Sequence, residues 1–217
     1  MYKRQLKKFE SELVLVFPDY AAAMGMPEAT DVLVIPSREK IENNLIFCQK
    51  YLERFEQYPP FDQQTELNEQ RIEKIEILKG MIERMTGVRS PFNDPSFYYV
   101  YPALAWRISQ LNQNSDSINT NFLLKTLTKV PIYFSHAKAN LDDPNIDRTT
   151  AAIDLQKKTF NFLSTTVADK VGALTKSDNS KNLRLAHERA EIAVKDYSAF
   201  CKSILIELKK LELASDK

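Results

Sequence analysis

Glycine is scarce in this chain, with 4 in 217 residues against an average usage of roughly 7%. So few glycines leave few tight turns, which argues against a hairpin-rich sheet protein. Cysteine is scarcer still, at two. Cys48 and Cys201 lie far apart within helical patterns and read as small apolar core residues rather than as a disulfide. Histidine is also limited to two, and no zinc-type spacing of cysteine or histidine occurs. No apolar run approaches the roughly 18 residues that cross a membrane. The run from Leu13 to Phe17 is flanked by Glu10, Glu12 and Asp19 and is too short for a secretory core. Neither sign of charge dominates, with 30 basic and 29 acidic residues spread along helix faces. The clustered basic stripe that nucleic acid requires is missing, and Lys3, Arg4, Lys7 and Lys8 read as a solvated helix face. The expectation is a soluble protein, cytoplasmic, or periplasmic if a leader is removed, with no nucleic-acid or membrane partner and no cofactor.

What is present is long 3.6-residue periodicity, which predicts an all-α fold: an irregular bundle of about seven helices in one domain, with possible sub-parts 1–90 and 91–217. A first helix is predicted from Tyr2 to Phe17, with Leu6, Phe9, Leu13 and Val16 on one face. Pro18 suits the first turn of a short helix ending at Met24 and Gly25. Val32 to Ile35 is expected to be extended and tucked against the helices. Ser37 is a good N-cap for a second helix carrying Ile41, Leu45, Cys48, Leu52 and Phe55. Tyr58-Pro-Pro-Phe61 ends it. Asp62 can cap a third helix to Thr86, with Ile72, Ile75, Leu78, Ile82 and Met85 inward and Gly87 as C-cap. The short connection predicts an antiparallel hairpin.

Beyond Pro91 the aromatics concentrate: Phe92, Phe97, Tyr98, Tyr99 and Tyr101, with Trp106, the single tryptophan, on the next helix. Such rings anchor a loop on the core more often than they line a pocket, because each buries about 150–250 Å². After a polar loop from Asn112 to Asp116, a helix over Ser117–Asn140 carries Phe122, Leu127, Val130, Phe134 and Ala137, followed by Leu141. Pro131 falls within it. An interior proline costs a helix about 3 kcal/mol, so a kink or a new helix start is expected there. Asp147 is the predicted cap of a helix to Leu174, using Ile153, Phe160, Leu163, Val167 and Val171. A loop over Ser177–Ser180 precedes the last helix, which begins near Lys181 and carries Ala186, Ala190, Ala193, Tyr197, Cys201, Ile204, Leu208 and Leu211.

Catalytic signatures are thin. His187-Glu188-Arg189-Ala190-Glu191 is one residue short of HExxH, in which two imidazoles four apart grip zinc and the glutamate serves as base. Glu191 stands where the second histidine belongs, so His187 is read as a solvated or capped helix residue and no metal site is assigned. His136, among Tyr133, Lys138 and Asn140, has the titration range of a general base; a polar helix residue satisfied by a neighbour is the plainer reading. Nucleophile-elbow, P-loop and dinucleotide signatures do not occur.

In their order, several segments resemble the N-terminal half of the bacterial family designated domain of unknown function 885. These are Pro18, Ala21 to Ala23 and Gly25; the helical hairpin from Ser37 to Met85; and the aromatic turn of Asn93, Asp94, Pro95, Phe97 and Tyr98. The series Pro131, Tyr133, Ala137, Asn140 and Leu141 follows, then Thr149 to Ile153. The resemblance covers essentially the whole chain but only the first part of the family's usual length. Members are helical and similar to zinc metallopeptidases through HExxH in their C-terminal half. That motif does not occur in this sequence, so peptidase activity is not carried over.

The resemblance implies one wall of a substrate cleft. It leads to the expectation of a non-catalytic scaffold that binds a peptide or a complementary peptidase-like chain, with candidate binding residues Asn93, Asp94, Tyr98, Tyr133, His136 and Asn140. The alternative is a hydrolase with a non-metal site around His136, Tyr98 and Tyr133. A third reading makes the last helix a docking surface through Leu205, Leu208, Leu211 and Leu213, although burial within the bundle is preferred for them.

Overall fold

The computed structural model describes residues 2–18, 20, 33–59, 65–114, 117–174 and 180–215. Among these, every regular element is helical: α1 (Tyr2–Val16), α2 (Arg38–Glu56), α3 (Thr65–Thr86), α4 (Tyr101–Gln113), α5 (Ser117–Asn140), α6 (Ile146–Phe162), α7 (Ala168–Leu174) and α8 (Ser180–Ser215). A 3-10 turn, Pro95–Phe97, precedes α4. A π turn, Leu163–Val167, joins α6 to α7 without a break, so the described residues form seven continuous rods. The all-α multi-helix fold is as the periodicity predicts. Pro18 and Tyr20 are helical; the other expectations for 19–32, including Ala21 to Ala23 and Gly25, lie outside the described residues. So do Asp62, residues 115–116 of the loop placed at Asn112–Asp116, and residues 177–179 of that placed at Ser177–Ser180. Asn112 and Gln113 are helical in the last turn of α4, not loop, and Ser180 opens α8.

Two apolar cores are present. In the first, α1 lies on the α2–α3 hairpin through Tyr2, Phe9, Leu13, Cys48, Tyr51, Phe55, Ile75, Leu78 and Met85. The hairpin is antiparallel, since Arg71 Nη1 donates to Phe55 O while Cys48 faces Met81 farther along. Ser37 caps α2 as expected, its Oγ accepting from Lys40 N at 3.1 Å. Gly87 follows α3 because a Cβ there would stand 2.8 Å from Glu83 O. Ile72 departs from its predicted inward position and is 53% exposed.

The second core fills the space between α8 and the two helices it packs along most extensively, α5 and α6. Phe134 stacks on Tyr197 and Lys138 lies over Phe200, so α5 and α8 run parallel. Leu163 meets His187 while Phe160 meets Lys195, so α6 runs antiparallel to α8. Pro131 sits inside one unbroken helix, not at a new start. Its missing N–H removes the bond that Leu127 O would accept.

Three expectations need correction here. The N-cap of α6 is Asn145, whose Oδ1 accepts from Arg148 N at 2.9 Å. Asp147 falls in the first turn, where its charge favours the helix dipole. The buried face of α6 is Thr149, Ala152, Gln156 and Thr159, with Ile153 and Phe160 only half-buried at its side. Small and polar residues let α6 approach its neighbours closely, which an apolar-periodicity search overlooks. Lastly, Leu211 and Leu213 are 67% and 68% exposed, and Leu205 and Leu208 are half-buried. Burial within the bundle, preferred for these leucines, fails at the end of α8, because that helix runs on past its packing partners.

Candidate functional site

The Asn93-Asp94-Pro95 turn is built locally. Asp94 Oδ1 accepts from Ser96 N at 2.8 Å and from Ser96 Oγ, an N-cap followed by proline in the first turn. Asp94 and Asn93 also donate their backbone N–H groups to Ser90 O. The Asp94 carboxylate is buried and lies 3.9 Å from Arg148 Nε. Behind the turn, Tyr98 is fully buried and its hydroxyl donates to Pro91 O at 2.6 Å. Burial pushes that phenol far above its ordinary range. Gln156 Nε2 donates to Tyr98 O, and Tyr197 Oη donates to Pro95 O. The rings of Tyr133 and Tyr197 stand edge-on to Tyr98 at 6.0 and 6.2 Å.

The fold therefore brings Tyr98, Tyr133 and Asn140 together. Asn140 lies close enough to bond the Tyr98 hydroxyl and donates Nδ2 to Pro36 O. Asn93 and Asp94 form the turn that carries Tyr98. His136 is half-buried on α5 and joins no hydrogen bond or ion pair among the described residues. Tyr98, Tyr133, Asp94 and Asn140 are all buried, and they fasten the aromatic segment to α5, α6 and α8. This is the anchoring geometry that large rings favour.

His187 is buried, not solvated. Its Nε2 lies 2.9 Å from Leu163 O at the start of the π turn, and 3.8 Å from Glu191 Oε1. The carbonyl contact requires the proton on Nε2. Among the described residues no cluster of three His, Cys, Asp or Glu is arranged to hold a metal ion, and no helix is long and apolar enough to cross a membrane.

The open surface lies elsewhere. A groove of 650 Å³ follows α5 and α8. Its walls are Pro131, Phe134, Ser135, Lys138 and Ala139 on α5, and Arg189, Ile192, Ala193 and Asp196 on α8. These are i, i+3, i+4, i+7 faces of two parallel rods. Ala139 and Ala193 keep the floor shallow, and Ile192 is 58% exposed at the rim. Arg189 and Asp196 enter no ion pair among the described residues. Seven positions apart, their Cα atoms lie about 10 Å from one another along α8. Phe134 and Ala193 are core residues, as apolar periodicity predicts, and the groove adds the charged residues beside them, which that periodicity does not mark. A second cleft of 650 Å³ between α1 and α3 is lined by Lys3, Lys7, Lys74, Glu10, Glu66 and Glu73; with its charges balanced it reads as a solvated seam.

No protein-family model matches the chain, and no curated protein matches it. Among solved structures, it is similar to a Shewanella oneidensis protein described as a "putative lipoprotein of unknown function". The TM-score is 0.82 at 20% sequence identity, over 97% of this chain and 38% of the other. At that identity the likeness speaks to fold alone. This chain spans well under half the length of the Shewanella protein.

Proposed function

We propose that this chain acts by shape, as a non-catalytic helical scaffold whose α5–α8 groove holds an extended peptide segment. The observation that carries this reading is the groove itself: an apolar lining of Pro131, Ala139 and Ile192, with Arg189 and Lys138 beside it. Two cations flanking an apolar trough suit a peptide that offers an apolar side chain and a carboxylate. About 10 Å of groove takes some three extended residues. The proposal extends to the resemblance to domain of unknown function 885, in which such helices form a cleft wall in longer proteins. The alternative of a hydrolase at His136 has less support, because Tyr98 is closed off and its hydroxyl is already bonded to Pro91 O.

Fluorescence anisotropy with a labelled hexapeptide ending in leucine, as free acid and as amide, tests the reading. The free acid is expected to bind more tightly, and Arg189→Glu or Ile192→Asp to weaken it about tenfold, the loss typical of a central interface contact. Equal affinity for both forms, or no effect of either substitution, would remove the groove from consideration. Zinc analysis of the purified protein is the second check: stoichiometric, tightly held metal would overturn the non-catalytic assignment.

A further inference from the structure

The apolar seam that α8 turns toward α5 and α6 does not stop where those helices stop. Along it stand Ala186, Ala190, Ala193, Tyr197 and Cys201, all buried, and then Ile204, Leu208 and Leu211 in the same steps of three and four. α5 ends at Asn140, two residues past Lys138, which lies over Phe200. α6 begins at Ile146 and runs the other way. Burial along the seam falls accordingly. Cys201 is fully enclosed, Ile204 and Leu208 are half-buried, and Leu211 is 67% exposed. The helix itself continues to Ser215, so roughly ten residues, about 15 Å, overhang the bundle.

Charge frames this overhang in a defined order. Glu207 and Lys210 lie along one edge of the Ile204–Leu208–Leu211 seam, and Lys209 and Glu212 along the other. All four are exposed, and none enters an ion pair among the described residues.

We propose that the overhang pairs with the same segment of a second copy of this chain, the two helices antiparallel and seam to seam. A parallel pair is excluded by the bundle: α5 and α6 occupy the same seam face farther down, and two bundles would collide there. Antiparallel, each overhang enters the space beyond the ends of the other copy's α5 and α6 and prolongs the layer those helices form. Setting Leu208 opposite Leu211 of the second copy brings Ile204 level with Ser215. In that register Glu207 lies within about 3 Å, along the axis, of Lys210 of the second copy, and Glu212 equally near Lys209. Each edge then alternates acid and base. One heptad inward, the helix ends run into the bundles; one heptad outward, no seam leucine meets another. The contact is short, below the roughly 800 Å² per partner of a standard interface, so the dimer is weak and forms at high chain concentration. The overhang lies past Asp196, the last α8 residue of the peptide groove, so neither proposal depends on the other.

Sedimentation equilibrium on the full chain, from micromolar to millimolar concentration, tests the pairing. Wild type is expected to pass from monomer to dimer. Leu211→Glu, at an exposed site, should raise the dissociation constant at least about tenfold. Lys209→Glu with Lys210→Glu makes all four edge charges acidic; Glu207→Lys with Glu212→Lys makes them all basic. Each double variant is expected to stay monomeric, and an equimolar mixture of the two to dimerise. A wild-type chain that stays monomeric or assembles beyond a dimer overturns the proposal. So does a dimer that survives both reversals, or a mixture that remains monomeric. If Leu211→Glu changes helix content, the mixture decides.

Discussion

Phe55 and Phe134 are both fully enclosed phenylalanines in helices, yet what surrounds them differs. Phe55 meets Tyr2, Phe9 and Tyr51 at 5.4–5.9 Å between ring centroids, in a core of aromatic and aliphatic side chains between three helices. Phe134 stacks at 4.7 Å on Tyr197, whose hydroxyl is spent on the carbonyl of Pro95. Around it the second core is stitched by side chains bonded to distant main-chain groups: Tyr98 to Pro91, Gln156 to Tyr98, Asn140 to Pro36 and His187 to Leu163. The first core relies on ring packing, which tolerates small shifts. The second fixes irregular backbone by giving its carbonyls side-chain donors, alone or beside a main-chain N–H as at Pro95 and Leu163. Helices supply their own main-chain bonds; the aromatic turn from Pro91 to Val100 cannot, so the polar ties gather there.

The largest effect should come from emptying each core in turn. Phe55→Ala and Phe134→Ala are each expected to cost about 3–5 kcal/mol. Their reach should differ: amide exchange after Phe55→Ala is expected to speed in α1–α3 alone, and after Phe134→Ala throughout α4–α8. Uniform loss across the chain in both variants would show one cooperative body and break the comparison. Next in size are the hydroxyls. Tyr197→Phe leaves the buried Pro95 carbonyl with only the long 3.4 Å bond from Tyr98 N, and a loss of about 1–2 kcal/mol is expected by denaturant titration. Tyr51→Phe should cost about 1 kcal/mol or less, because its partner Glu12 stays open to water. Equal losses would erase the distinction between packed and stitched cores.

The smallest effect is pH-dependent and is read in the first core. The Tyr51 hydroxyl, bonded to Glu12 at 2.7 Å, holds that carboxyl below the usual range, while burial, reinforced by the same bond, pushes Tyr51 up to about 12. A lowered carboxyl contributes stability above its unfolded pKa, about 4.3, that is lost as pH falls through the folded value. A raised phenol contributes below its unfolded pKa, about 10, and that is lost as pH rises through about 12. Protection of amides in α1–α3, after correction for the intrinsic pH dependence of exchange, should therefore be greatest between these limits, and Glu12→Gln should flatten the acid side. An acid limb that survives Glu12→Gln would trace to other carboxylates.

Helix positions were largely legible because periodicity, the Ser37 cap and the prolines act locally. Ser117–Asn140 is found as predicted, and α1 differs by one residue. What escaped was set by partners distant in sequence. Asn145 and Asp147 are both acceptable caps, and the choice depends on how the chain leaves α5. Thr149, Gln156 and Thr159 carry no apolar signal, yet they are buried, and Gln156 finds Tyr98 O across 58 residues. Of the nominated site residues, Asn93, Asp94 and Tyr98 could be read as a turn, since Asp94 caps its own neighbours. That Asn140 would meet Pro36, or Arg38 meet Asp142, depends on pairings more than 100 residues apart, which no local pattern encodes.

The π turn at Leu163–Val167 carries one residue more than an α turn, and this sets the phase of everything after it. Val167 and Val171 reach the core only because of that surplus. Deleting a single residue between 164 and 166 would restore a plain helix and leave Val171 facing inward, whereas winding all the same residues as plain α-helix would rotate α7 by about 100° and turn Val171 toward water. The irregularity thus works as a spacer that lets one helix address two successive neighbours.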